Sequence, residues 1–181
     1  GSLGDAATTS FFPAKPLGCY GDGGAIFTND DQEAEHLRSI AVHGKGSFKY
    51  DNVRIGWNSR LDTIQAAILL VKFDAFTEYE LEDVNKVALW YTQAFKDKVK
   101  TPVVPEGCYS SWAQYTIQVK NEEERTVLQQ KLKEKGIPTM VYYPKPMHEQ
   151  TAFKELKKYV ECPVTEMLCK TVVSLPIDGY K

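Results

Sequence analysis

Nothing in this sequence offers a ready metal site. The four cysteines, Cys19, Cys108, Cys162 and Cys169, include no CxxC pair, and the three histidines, His36, His43 and His148, show no ligand spacing. Scattered cysteines without a framework fit reduced thiols in a cytoplasmic protein better than a disulfide scaffold. No apolar run approaches the roughly 20 residues that cross a bilayer, and no signal peptide is visible. Acidic and basic blocks are also missing, and the net charge is only -2. That balance gives no reason to expect a nucleic acid or a membrane surface as partner. What is present is ordinary: 181 residues, 43% hydrophobic and 25% charged, enough apolar material for a sizeable core and too much for a disordered chain. There is no initiator Met. The opening Gly-Ser resembles a cloning remnant, and TTSFF reads as a strand already under way, so the chain is expected to begin inside a domain.

Two short β-rich segments, residues 6–12 and 24–28, flank a Pro/Gly-rich stretch. Asn29 and Asp30 offer caps for a helix over DQEAEHLRSIAVH. GKGSFKYDNVRIGWNS is polar, glycine-containing and aromatic; it is too irregular for a regular element. The longest helical pattern runs from about Leu61 to Lys96, with a break expected near Phe76–Glu80. Its stripe Leu61, Ile64, Ile68, Val71, Ala75 has a 3–4 spacing and reads as core. TPVVPEG, residues 101–107, marks a junction. Beyond it a β-α-β-α order is expected. A strand covers 112–119. A helix over NEEERTVLQQKLKEKG carries an Asn cap, acidic first turn, basic last turn and closing Gly136. A strand at 137–143, a short helix in TAFKELKKY and a strand in TVVSLPI follow. This half reads as a small α/β sandwich with mixed or antiparallel pairing.

The chemistry concentrates in SFFPAKPLGCYGDGGA, residues 10–25. A P-loop needs its glycines ahead of the lysine; here they follow it. Gly21, Gly23 and Gly24 do not make a GxGxxG fingerprint. A lysine that forms a Schiff base fits better, because it must lose its proton and partial burial favours that. Phe11, Phe12, Pro13 and Leu17 could wall Lys15, and the glycines could let the backbone approach a flat cofactor. An exposed Pro/Gly turn explains the same residues equally well.

SFFPAKPLGCYGDGGAIFTND resembles the lysine segment of the DegT/DnrJ/EryC1/StrS family of pyridoxal-phosphate (PLP) sugar aminotransferases. RIGWNSRLDTIQAAIL, residues 54–69, is similar to that family's glycine–asparagine–arginine motif and following helix. YYPKPMHEQTAF, residues 142–153, resembles its proline–histidine segment, and VVSLPI also matches. The resemblance implies an α/β fold, the C-terminal part of a fold-type I transferase. Residues 1–60 would complete the PLP-binding large domain, 61–100 would form a long connecting helix region and 101–181 a small C-terminal α/β domain. It implies that Lys15 binds PLP covalently and catalyses, and that Ser10 holds the PLP phosphate. Asn58 would reach the phosphate of a neighbouring subunit's cofactor, making a homodimer with shared sites. Arg60, Tyr143 and His148 would contact substrate, and His43 and Lys45 would lie near the site. No metal is implied. The substrates implied are L-glutamate and a keto nucleotide sugar, with UDP-2-acetamido-2-deoxy-3-oxo-glucuronate favoured, in bacterial surface polysaccharide synthesis. A 4-keto sugar, or a non-catalytic dimerising module, stays open. So do plainer readings: Asn58 and Arg60 as a polar turn, His148 as a structural histidine, and Phe48, Tyr50 and Trp57 as interface packing. The resemblance also implies a preceding stretch that carries the groups around the pyridine ring, without which the chain is expected to be inactive.

Overall fold

Side-chain caps start three of the five α-helices among the described residues. The structure, a computed structural model, describes residues 3–153, 155 and 161–179. Two units emerge, Gly1–Glu78 and Tyr79–Lys181.

In the first unit, β1 (Ala6–Ser10) and β2 (Gly24–Thr28) pair antiparallel, from Ala6 opposite Thr28 to Ser10 opposite Gly24. Helix α1 (Asp31–Ala41) starts at Asp30, whose carboxylate accepts the Gln32 and Glu33 amides at 2.8 and 3.0 Å. Helix α2 (Thr63–Ala75) starts at Asp62, which accepts the Ile64 amide at 2.8 Å. A π-helical turn, Phe76–Glu80, follows at the expected break.

The expected stripe on α2 does not form a core. Ile64 is 71% and Val71 74% exposed, whereas Leu69 is buried. The helix sequence TIQAAILLVKFDA is apolar nearly all round, so periodicity could not choose a face. Among the described residues of this unit, Cys19 and Leu69 are the only buried apolar side chains.

The second unit has a conventional core. Helix α3 (Leu81–Phe95) and helix α4 (Glu122–Glu134, capped by Asn121) accompany the antiparallel pair β3 (Tyr115–Gln118) and β4 (Val172–Leu175). Ala88, Tyr115, Ile117, Val173 and Leu175 are buried together, with Tyr91, Phe95, Trp112 and Leu128 packed against them. A helix that the sequence reading missed, α5 (Pro163–Thr171), leads directly into β4. Its signal was Pro163 at the first helical position.

The strand expected at 137–143 is reduced to one rung. Met140 and Ser174 exchange amide–carbonyl bonds at 3.1 and 2.7 Å. Pro138 and Pro144 bracket that rung, and proline cannot donate to a ladder. β4 therefore lies between β3 and this rung, and all four of its residues are buried. Of the helix expected in TAFKELKKY, Thr151–Phe153 is a 3-10 turn; residues 154 and 156–159 lie outside the described residues.

Candidate functional site

The expected site residues are divided between the units, and each group is described within its own. Ser10, Lys15, His43, Lys45, Asn58 and Arg60 lie in the first; Tyr143 and His148 lie in the second.

Lys15 sits at the end of a tight turn in which its amide donates to the Phe12 carbonyl at 2.8 Å. It is exposed, and among the described residues its Nζ has no hydrogen-bond or ion-pair partner. The apolar walls read from the sequence are only half present. Phe11 and Leu17 are partly buried, but Phe12 is 50% exposed and Pro13 is exposed. The turn directs these side chains outward instead of folding them over the lysine.

Two of the glycines serve close packing within the unit. A Cβ on Gly18 would lie 2.7 Å from the carbonyl oxygens of both Phe12 and Pro13, and one on Gly24 would lie 2.7 Å from that of Thr9. Backbone therefore packs on backbone directly beneath the lysine turn. Cys19, fully buried, completes the fold-back: its amide donates to the Phe11 carbonyl at 2.8 Å, and its thiol donates to the Phe11 and Gly21 carbonyls at 3.0 Å. Ser10 Oγ accepts the Phe12 amide at 3.2 Å, which leaves its hydroxyl proton free to donate.

The loop between α1 and α2 is irregular but densely bonded. His43 donates its amide to the Trp57 carbonyl, Trp57 to Ile40, and Ser59 to Ala41, at 2.7–2.9 Å. Asn52 Nδ2 donates to the His43 carbonyl at 2.7 Å. Lys45 bridges Asn52, and its side chain is exposed. At the loop's end Arg60 Nη2 donates to Asn58 Oδ1 at 2.6 Å. That contact occupies the amide oxygen and leaves the Asn58 NH2 group available as a donor. Asn58 and Arg60 line an open cleft of about 950 Å³ together with Thr8, Gly23, Arg38 and Leu61. Lys15 and Ser10 do not line it. The aromatics Phe48, Tyr50 and Trp57 are 69–80% exposed.

In the second unit Tyr143 is 69% exposed, edge-on to Tyr142. His148 is mostly enclosed, and its Nε2 lies 3.1 Å from Glu166 Oε1. His148, Glu149 and Glu166 bring ligand-type atoms within 4.8 Å of one another.

An exposed amine and a free hydroxyl are donor types that an aldehyde bearing a phosphate requires, and Lys15 and Ser10 supply them five residues apart on one segment; Asn58 lines a separate cleft that neither of them lines. The residues present therefore fit PLP.

Residues 1–179 match the DegT/DnrJ/EryC1/StrS aminotransferase family. The chain is 46% identical over 180 residues to UDP-2-acetamido-2-deoxy-3-oxo-D-glucuronate aminotransferase of Pseudomonas aeruginosa, covering 99% of this chain and 48% of that protein. It is 48% identical to a Pleiotropic regulatory protein of Geobacillus stearothermophilus, over 98% of this chain and 48% of that one. Its structure resembles the crystal structure of a DegT DnrJ EryC1 StrS aminotransferase from Brucella abortus, with a TM-score of 0.89 and 49% identity over 98% of this chain and 47% of that one. The chain thus spans about half the length of the relatives it matches.

Proposed function

The chain belongs to the DegT/DnrJ/EryC1/StrS aminotransferase family, and on that premise we propose that the protein carrying it is a PLP-dependent sugar aminotransferase. It moves an amino group from L-glutamate to the keto group of a nucleotide sugar. UDP-2-acetamido-2-deoxy-3-oxo-glucuronate is the acceptor favoured by the similarity to the Pseudomonas aeruginosa enzyme. The product would serve bacterial surface polysaccharide synthesis. The observation that carries the reading is Lys15: an unpartnered amine on a turn fixed from beneath by buried backbone.

The aminotransferases of this family use PLP, which when bound supplies an electron sink for the carbon that loses its proton. Lys15 offers the amine for covalent attachment and, when released, takes and returns that proton. The Ser10 hydroxyl and the Asn58 amide donate to phosphate, Asn58 toward a second subunit in a homodimer. Arg60 holds the amide oxygen of Asn58 and retains guanidinium donors for a substrate carboxylate, which it can grip in the planar two-point manner. Tyr143 and His148 serve the sugar-nucleotide end. A cytoplasmic location is part of the proposal: nucleotide sugars are its substrates, all four cysteines are unpaired, and no described helix is long and apolar enough to cross a membrane.

Borohydride reduction of the full-length protein with PLP, followed by peptide mass spectrometry, should place the cofactor on Lys15, and Lys15→Ala should abolish the visible band. Fixation on another lysine would refute the assignment. Mixed Lys15→Ala and Asn58→Ala chains should regain activity through one intact shared site; no recovery after verified subunit exchange counts against sharing. Better turnover of a neutral 4-keto sugar than of the 3-keto uronate would move the substrate to that class.

A further inference from the structure

Gln65 and Lys72 stand seven residues apart on α2, close to two helical turns, so they leave the same side of the helix. Both reach the strap of backbone that passes behind Lys15. Gln65 Oε1 accepts the Tyr20 amide at 2.7 Å. Lys72 Nζ donates to the Gly18 carbonyl and lies 5.8 Å from the centre of the Tyr20 ring. Gly18 is buried, and its Cα lies against the carbonyls of Phe12 and Pro13. The Phe12 carbonyl is also the acceptor that closes the Lys15 turn. A shift of Gly18 is therefore passed to the peptides from which Lys15 projects.

We infer that Gln65 and Lys72 are positioning residues for Lys15: two polar side chains of α2 that clamp the Gly18–Tyr20 strap and so set where the lysine amine stands. The inference rests on the reading of Lys15 as the cofactor lysine. Neither residue touches the reacting atoms. Their contribution is geometric, and misplacing a reacting group by about 1 Å can cost roughly a hundredfold in rate. The bond from Lys72 is charge-assisted and so is the stronger of the two. With an apolar residue at position 72, the buried Gly18 carbonyl would lose this donor.

The test uses the full-length protein and four variants. Lys72→Met and Gln65→Leu keep side-chain bulk and remove the polar ends; Lys72→Arg and Gln65→Glu keep a donor and an acceptor. Without PLP, amide exchange over residues 11–21 should accelerate about tenfold in the first pair, the effect of one lost hydrogen bond to a charged or buried partner. Exchange over α1 should not change, and the second pair should return toward the unmutated rate. With PLP, the rate of borohydride-trappable attachment to Lys15 should fall in the first pair, and the pH at which the visible band titrates should move. Unchanged exchange and attachment in all four variants overturn the proposal. So does faster exchange spread evenly over α1, β1 and β2, which marks a role in overall stability alone. If Lys72→Met does not fold, Gln65→Leu against Gln65→Glu decides. If the unmutated protein attaches PLP elsewhere than Lys15, the functional reading fails, while the exchange data still decide whether the clamp holds the loop.

Discussion

Gly44 and Gly56 occupy nearly the same space from opposite sides. Gly44 has φ of 73° and is buried; a Cβ there would lie 1.7 Å from the Arg54 carbonyl oxygen. A Cβ on Gly56 would lie 2.1 Å from the Gly44 nitrogen. Neither clash ends on a flexible side chain, so backbone must move. Gly56→Ala should cost about 2 kcal/mol or more in urea unfolding of the chain. Gly107→Ala, at φ of 76° with nothing within 4 Å, should lose only the left-handed strain of about 1–2 kcal/mol. Equal losses would show that the two strands of the loop do not cross as described. At this scale the sequence was uneven as a guide. Lys15 stood out because its Pro and Gly neighbours were unusual. The crossing of residues 44 and 56 was invisible, because eleven intervening residues without periodicity hide which backbones meet. The exposure of Phe12 was misjudged for a related reason: a hydrophobic residue beside a lysine says nothing about which way a turn points it.

Helices are legible where their ends carry chemistry. Asp30, Asp62 and Asn121 all cap as their residue types require, and Gly136 takes φ of 73° just beyond α4. Asp30→Ala leaves two amides without their acceptor and should destabilise the first unit by about 1 kcal/mol, read as a lower urea midpoint with α1 exchange faster than that of α2. A change spread equally over both helices would argue against a local cap. Strands were harder to read. β3 alternates buried and half-buried residues and could be found. The 137–143 stretch has strand-like composition, but the partner that decides pairing is Ser174, far along the chain. Helix α5 was missed because its nine residues are few for a periodic signal.

The whole molecule divides its apolar residues unequally. The first unit exposes Ile26, Phe27, Ile55, Ile64, Leu70 and Val71, each more than half accessible. The second buries Tyr115 completely and packs the tilted rings of Tyr91 and Trp112 against it with ring centres 5.1 and 5.5 Å away. Burial pushes the Tyr115 hydroxyl above the ordinary tyrosine value of 10.0, partly offset by its bond to Thr92; burial also raises Tyr91, assisted by Asp178. The folded unit thus holds these protons more tightly than the unfolded chain. Their contribution to its stability is full below about pH 10 and declines as the pH rises through the folded values. Urea unfolding followed by tryptophan fluorescence should show that decline, and Tyr115→Phe should flatten it. An identical decline in Tyr115→Phe combined with Tyr91→Phe would place its origin elsewhere. The clamp on Lys15 has a further consequence, for the order of events at the ribosome. Lys72 lies 54 residues beyond the Gly18 carbonyl that it binds. At a synthesis rate of roughly 5–20 residues per second, the lysine loop leaves the peptidyl-transferase centre ~3–10 s before its clamp has been made. The nascent chain therefore carries Lys15 on an unfastened strap, and that strap is among the last parts of the unit to be secured.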